Sequence, residues 1–236
     1  MEVTKNGQVN TVISENLAET VRHNLTIADG ERYIIRKPSK VNTDAGFLFI
    51  KRLADIILSL LGIIVCAIPM IVISVMVKAD SEGPVIYAQK RLGKDGKEFS
   101  IYKFRSMVFD AEKDGAVWAK RDDERVTRVG AILRKTHLDE LPQLFNIIKG
   151  DMSFVGPRPE REVFYRAFSR YIDGFDHRML VKPGLTGWAQ INGGYELTPM
   201  EKAAWDVDYI EKQSLMLDFR CMIKTATIIF GDDHTR

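Results

Sequence analysis

The sequence predicts a mainly α-helical protein with one small β-hairpin, held at a membrane by a single apolar helix. Three observations predict it. The run Leu53 to Val77 is dominated by apolar residues, long enough on the usual ~20-residue criterion for a transmembrane helix. Two strand-like segments flank Lys94-Asp95-Gly96, and Asp-Gly is strong hairpin-turn chemistry. The rest carries helical spacing broken by Gly and Pro.

In a chain of 236 residues with 45% hydrophobic content, one sizeable core or two small ones can form. The formal net charge is only +2, so composition gives no reason to expect a nucleic-acid partner. Charge is nevertheless concentrated between Val85 and Arg105. There Lys90, Arg91, Lys94, Lys97, Lys103 and Arg105 face only Asp95 and Glu98. Such a segment is either a solvated basic hairpin or a surface for anionic headgroups and phosphates. Cys66 and Cys221 provide neither a disulfide framework nor metal-ligand spacing, and read as reduced apolar filler.

Taken in order, residues 1–45 form a polar N-terminal extension, with at most a short strand or helix near Arg32 to Arg36. Residues 46–78 form the membrane segment. Pro69 lies well inside it, removes one backbone hydrogen bond and predicts a kink near Cys66 to Ile68. Cations flank both ends, Lys51 and Arg52 before and Lys78, Lys90, Arg91 and Lys94 after, so the positive-inside rule does not separate the flanks. This fits a re-entrant, proline-broken helix that enters one leaflet and leaves on the same face. Asp55 is read as sitting at the interface beside Lys51 and Arg52, in a structural role rather than as an intramembrane functional carboxylate.

Residues 79–236 form the remaining domain. Pro84 to Gly93 and Lys97 to Arg105 are the hairpin strands. Helices are expected over Met107 to Ala119, Val126 to Lys135, Glu140 to Lys149, Glu160 to Ser169 and Pro199 to Gln213. The last apolar stretch, Leu215 to Phe230, has helical spacing that suits a core helix and an interfacial one equally.

The chemistry-bearing residues cluster in three places. Pro142 is tolerated only in a first helical turn, which puts Asp139 and Glu140 at a helix start. There they serve as caps, Thr136 and Asp139 resembling a capping box, or as carboxylates acting on phosphate and a divalent metal. Both readings stay open from spacing alone. Arg158 stands between Pro157 and Pro159, which limit the entropy its guanidinium loses on meeting an anion. The glycine-rich stretch Lys182 to Gly194 carries Trp188, Gln190 and Asn192, groups able to stack on or hydrogen-bond a base or sugar, yet it fits neither the dinucleotide nor the Walker A pattern. His137 and His177 read as structural.

Four strings now carry a resemblance: Lys103-Phe-Arg-Ser-Met107, Leu138-Asp-Glu-Leu-Pro-Gln-Leu-Phe-Asn146, Lys149-Gly-Asp-Met-Ser-Phe-Val-Gly-Pro-Arg-Pro159 and Pro183-Gly-Leu-Thr-Gly-Trp-Ala-Gln-Ile-Asn-Gly193. From about Lys51 to Gly231 the chain resembles the bacterial sugar transferases known as monotopic phosphoglycosyl transferases, priming enzymes of capsule, exopolysaccharide and O-antigen synthesis. The resemblance implies a re-entrant membrane helix and a compact catalytic domain on the cytoplasmic face of the bacterial inner membrane. It implies transfer of a sugar-1-phosphate from a UDP-sugar to polyprenol (undecaprenyl) phosphate, with release of UMP and a covalent intermediate on Asp139. Glu140 would support the nucleophile or share with Asp139 a bound Mg²⁺. Lys103, Arg105, Arg134, Gln143, Arg158 and Gln190 would form the substrate-binding set. The chain departs from many relatives in having Ile68, not Ser, before Pro69.

The alternatives are a membrane glycosyltransferase that releases UDP and a non-enzymatic membrane adaptor. Base rates allow a homodimer. Which sugar is transferred is not legible in the sequence.

Overall fold

The computed structural model describes residues 32–111, 123–194 and 197–230. Its elements, in chain order, are β1 (Tyr33–Ile34), α1 (Ala45–Asp80), β2 (Ile86–Leu92), β3 (Glu98–Phe104), α2 (Arg128–Thr136), α3 (Gln143–Lys149), β4 (Ser153–Val155), α4 (Glu162–Phe168), β5 (Ile172–Asp173), β6 (Gly184–Thr186), α5 (Trp188–Ile191), α6 (Pro199–Lys212) and α7 (Leu215–Phe230). Single 3₁₀ turns lie at Lys94–Gly96 and Leu138–Glu140, with a longer 3₁₀ helix at Phe175–Leu180. The mainly helical expectation holds. Beside the hairpin, two short parallel pairings, β1 with β5 and β4 with β6, tie distant segments together.

The long helix α1 begins where the Asp44 side chain accepts from the Phe47 amide at 2.7 Å and continues for 36 residues, about 54 Å at 1.5 Å per residue. It runs through Pro69 without interruption. The expected proline break is therefore not an end of the helix. One face docks on the rest of the protein at helical spacing: Asp55, Ser59, Ile73 and Val77 are buried along it. The opposite face is apolar and open, with Val65 75% and Ile68 74% exposed.

Polar groups clamp α1 at both ends. Lys51 Nζ donates to Asp218 at 2.5 Å and to the Val155 carbonyl at 3.1 Å. Arg52 donates to the carbonyls of Ile147 (2.6 Å) and Ile148 (2.5 Å), at the C-terminus of α3. Asp55 is buried and accepts from Ser153 Oγ and the Phe154 amide, both at 3.0 Å. It is thus a docking residue for β4 and does not pair with Lys51 or Arg52, whose hydrogen bonds go elsewhere. At the far end, Arg105 donates to the carbonyls of Val77 (3.3 Å), Ser81 (2.6 Å) and Glu82 (2.6 Å). A buried guanidinium with several donors suits the orphan carbonyls of a helix end.

The hairpin forms as read. Its strands pair from Ile86 with Phe104 to Leu92 with Glu98, and the turn puts Asp95 (φ 57°) and Gly96 (φ 72°) in the left-handed region. Phe99 and Ile101 pack on Leu144, Ile147 and Met152, while Phe104 joins Ile73, Val77 and Leu133. The segment that carries Asp139 and Glu140 is therefore held between the hairpin and α1.

Most expected helices are present within a few residues. Residues 112–119 of the stretch Met107 to Ala119 lie outside the described residues, and Met107 itself makes an isolated bridge with Val126 in place of a helical turn. The stretch from Glu140 to Lys149 is split: a 3₁₀ turn ends at Glu140, and α3 starts at Gln143. Helix α7 has one side in the core and one exposed. Cys221 is buried among Val155, Tyr209 and Ile210, whereas Met216 and Phe219 are exposed on the other side.

Candidate active site

Local sequence sets the site-bearing corner. Thr127 caps α2 by accepting from the Gly130 amide at 3.0 Å. Gly130 sits where a Cβ would lie 2.0 Å from the Ser106 carbonyl oxygen, so only glycine lets α2 approach the hairpin's end so closely. The chain then reverses at His137, whose φ of 59° is left-handed, a conformation in which histidine is enriched among non-glycine residues. Leu138 and Leu141 turn into the apolar cluster of Phe104 and Leu133. Between them Asp139 and Glu140 are carried on the 3₁₀ turn, 5% and 6% exposed.

Neither carboxylate is a helix cap. Pro142 holds the N-cap position of α3, which has no side-chain cap, and Thr136 Oγ1 donates to the Ile132 carbonyl one turn back. The capping-box reading is therefore overturned. Two nearly buried carboxylates without a capping duty are costly unless charge compensates them.

Compensation at Glu140 comes from two elements. Lys103 on β3 donates to Oε1 at 2.7 Å. Arg158 donates Nη1 to Oε2 at 3.2 Å and Nη2 to Oε1. Burial pushes the Glu140 carboxyl up, but the charges and hydrogen bonds of Arg158 and Lys103 outweigh it and hold the group well below the usual carboxylate range.

The Arg158 loop is itself fixed. Arg178 Nη2 donates to the Arg158 carbonyl at 3.0 Å, and its Nε bonds Asp206 at 2.6 Å inside the core. Arg91 donates to the Pro159 carbonyl (3.3 Å) and to Glu160 (2.9 Å). A Cβ on Gly156 would meet the Lys182 carbonyl oxygen at 2.3 Å, so glycine is needed for the two loops to touch. Sequence reasoning missed Arg178 and Asp206, since no local pattern marks a pair joined only by tertiary packing, and saw Arg91 only as part of the basic hairpin.

The other expected site residues divide. Gln143 is fully buried, in the first turn of α3, and neither its amide oxygen nor its nitrogen has a hydrogen-bond partner. Gln190 is half-buried, also with both amide atoms unpartnered. Arg105 is committed to the end of α1, as described above. Arg134 is half-buried in the last turn of α2. Its charge adds to that of Arg125, which takes the larger part in drawing the Asp123 carboxyl down to about 2. Trp188 Nε1 donates to Asp208 at 3.0 Å, and the ring packs edge-on against Trp205. Asn192 is likewise spent on the Trp188 carbonyl at 2.8 Å. Among the described residues no group of three or more His, Cys, Asp or Glu could cage a metal.

The arrangement is a rigid carboxylate pair beside two cations, built against a long apolar helix, which is a setting for anionic substrates at a membrane. A sequence model of the bacterial sugar transferases matches residues 47–232. The chain belongs to that family. It is 44% identical over 189 residues to a UDP-N-acetylgalactosamine-undecaprenyl-phosphate N-acetylgalactosaminephosphotransferase of Aeromonas hydrophila, covering 78% of this chain and 45% of that protein. It is 55% identical over 136 residues to a putative undecaprenyl-phosphate N-acetylgalactosaminyl 1-phosphate transferase of Bacillus subtilis (57% of this chain, 75% of that protein). Against a UDP-glucose:undecaprenyl-phosphate glucose-1-phosphate transferase of Xanthomonas campestris pv. campestris the identity is 41% over 197 residues, 81% of this chain and 41% of that protein. The chain thus spans under half the length of two of these three relatives.

Proposed function

We propose that this protein transfers a sugar-1-phosphate from a UDP-sugar to undecaprenyl phosphate and releases UMP, the first membrane step of surface polysaccharide synthesis. The observation that carries the reading is the buried Asp139–Glu140 pair with Glu140 gripped by Lys103 and Arg158, joined to membership of a family whose relatives bear the names above.

In this reading an Asp139 carboxylate oxygen attacks the phosphorus bonded to the sugar. The bond from that phosphorus to the bridging oxygen breaks, and UMP leaves with the electron pair. An oxygen of the acceptor phosphate then attacks the same phosphorus, which frees the carboxylate and yields polyprenyl-diphosphate-sugar. Splitting the displacement into two steps is the usual benefit of a covalent intermediate. In this reading Lys103 and Arg158, which meet at Glu140, take the phosphate oxygens and offset the repulsion between an anionic nucleophile and an anionic substrate. Glu140 aligns both cations.

Mg²⁺ takes one or two carboxylates together with phosphate oxygens and water. With both Glu140 oxygens bonded to Lys103 and Arg158, Asp139 and a diphosphate would hold it, and Glu140, which the resemblance adds to the set, would join only on releasing a cation. When bound, the ion neutralises diphosphate charge.

The membrane placement is supported by α1. The helix is long and apolar enough to cross a membrane and its apolar stretch is mostly left uncovered by the rest of the protein, and a contiguous apolar face of this kind marks a membrane-binding surface. Both ends are gripped by the same folded domain, through Lys51, Arg52 and Asp55 at one end and Arg105 at the other. This supports a re-entrant helix that dips into one leaflet, and the family resemblance is the ground for putting the catalytic domain on the cytoplasmic face of the inner membrane.

The test is incubation of the detergent-solubilised protein with undecaprenyl phosphate, Mg²⁺ and a panel of UDP-sugars, with chromatography of the released nucleotide. UMP from one donor is the expected result. UDP would replace the reading with a glycosyltransferase.

A further inference from the structure

Asn146 is fully buried in α3, and its side chain bonds the backbone of β3 with both ends of the amide. Oδ1 accepts from the Tyr102 amide at 3.0 Å, and Nδ2 donates to the Ser100 carbonyl at 2.7 Å. A longer bond runs from Nδ2 to Asp151 at 3.4 Å. An N–H facing the oxygen and a C=O facing the nitrogen leave the amide a single orientation. Among the described residues β3 pairs as a strand with β2 alone, so Asn146 occupies backbone groups that a sheet edge would leave open.

The strand it grips carries Lys103. Phe99, Ile101 and Lys103 alternate onto the face of β3 that packs on α3. The first two meet Leu144, Ile147 and Met152, and the third reaches Glu140 at 2.7 Å. The helical segment to which Asn146 belongs carries the carboxylates. Leu141 and Pro142 keep right-handed helical backbone between the 3₁₀ turn and α3, so Glu140 and Asn146, six residues apart, sit on one continuous stretch of helical chain.

Register is what this arrangement must secure. Apolar packing is non-directional and tolerates sliding. A one-residue slip of β3 would turn Lys103 to the opposite face, and a two-residue slip would carry its Cα about 6.6 Å away. The two amide bonds are directional and oppose both slips. We propose that Asn146 is a positioning residue for the reaction: it locks β3 in register against α3 and thereby delivers the Lys103 ammonium to Glu140 and to the substrate phosphate. The effect on catalysis rests on the function argued above, whereas the effect on the Lys103–Glu140 pair does not.

The experiment is a double-mutant cycle on UMP release, with the wild type, Asn146→Ala, Lys103→Met and the double variant assayed on the same radiolabelled UDP-sugar. Lys103→Met is expected to lower kcat/KM by about 10²-fold. Asn146→Ala is expected to lower it by about tenfold alone and by less than about twofold once Lys103 is gone. Equal losses in the two backgrounds, the result of a general loosening of the packing, overturn the proposal. If Asn146→Ala does not fold, Asn146→Asp takes its place: it keeps the acceptor for Tyr102 and sets a carboxylate against the Ser100 carbonyl, and the same non-additivity is expected. Thermal midpoints in detergent give a readout independent of turnover. Coupling between Lys103→Met and Glu140→Gln is expected with Asn146 in place and is expected to vanish with Asn146→Ala; coupling that survives overturns the proposal. A wild type that releases UMP from no donor removes the proposed function, and the thermal cycle then decides whether Asn146 places Lys103.

Discussion

Arg158 and Glu140 meet through both terminal nitrogens of the guanidinium, Nη1 to Oε2 at 3.2 Å and Nη2 to Oε1. The loop that brings Arg158 there is held from behind by Arg178 and Arg91. The fork is therefore presented ready-made, and little entropy is lost when it meets a phosphate. Arg158→Lys keeps the charge but not the two-pronged geometry. It is expected to lower kcat/KM by roughly 10²-fold, the loss typical of one preorganised donor, with a circular dichroism spectrum like the wild type. A loss under about threefold would show that charge alone suffices.

Acidification gives a second prediction. The folded Glu140 carboxyl lies below its ordinary value of 4.5. Its pairs therefore contribute stability that is fully present above the unfolded value and is lost as pH falls through the folded one. The difference in Tm between the wild type and Glu140→Gln should stay level from about pH 8 to about pH 5 and shrink below about pH 4.5. A difference that grows on acidification would contradict the ion pairs.

Arg105 belongs to the architecture of α1. Arg105→Gln leaves the carbonyls of Val77, Ser81 and Glu82 with fewer donors, at about 1–3 kcal/mol for unmet buried groups. A clear fall in thermal midpoint in detergent is expected, with KM for the UDP-sugar near the wild-type value. A stable variant with a raised KM for that donor would place Arg105 on the substrate instead.

Topology can be read by labelling. In a background of Cys66→Ala and Cys221→Ala, single cysteines at Phe49 and Ala79 flank the apolar centre of α1 on exposed positions. Re-entrance predicts that both react from the cytoplasmic side and neither from outside intact cells. Reaction of one from each side would make α1 a span.

Much of this was legible because local chemistry decided it. The Asp95-Gly96 turn fixed the hairpin, and i, i+3, i+4 spacing placed α7 at Leu215–Phe230. Asp139, Glu140 and Arg158 were also singled out, and the structure brings Glu140 and Arg158 together. What the sequence hides depends on distant partners. Arg105 falls in a basic hairpin in the sequence, while its carbonyl partners at the end of α1 are set by tertiary packing. Asp55 sits beside Lys51 and Arg52 in sequence but bonds Ser153, nearly a hundred positions away. Trp188 was spent on Asp208. Pro69 did not end its helix, because a proline removes one hydrogen bond while the docked face of α1 continues on both sides of it. The pairings of β1 with β5 and β4 with β6 involve two or three residues each, too few to leave a periodic signal.

The central claim is that Asp139 takes the phosphosugar. The most direct test is UMP release by the wild type and by Asp139→Asn, measured side by side with undecaprenyl phosphate and the active UDP-sugar, with thermal midpoints recorded for both. The account predicts turnover by the wild type and none by a folded Asp139→Asn. Full turnover by that variant would contradict it.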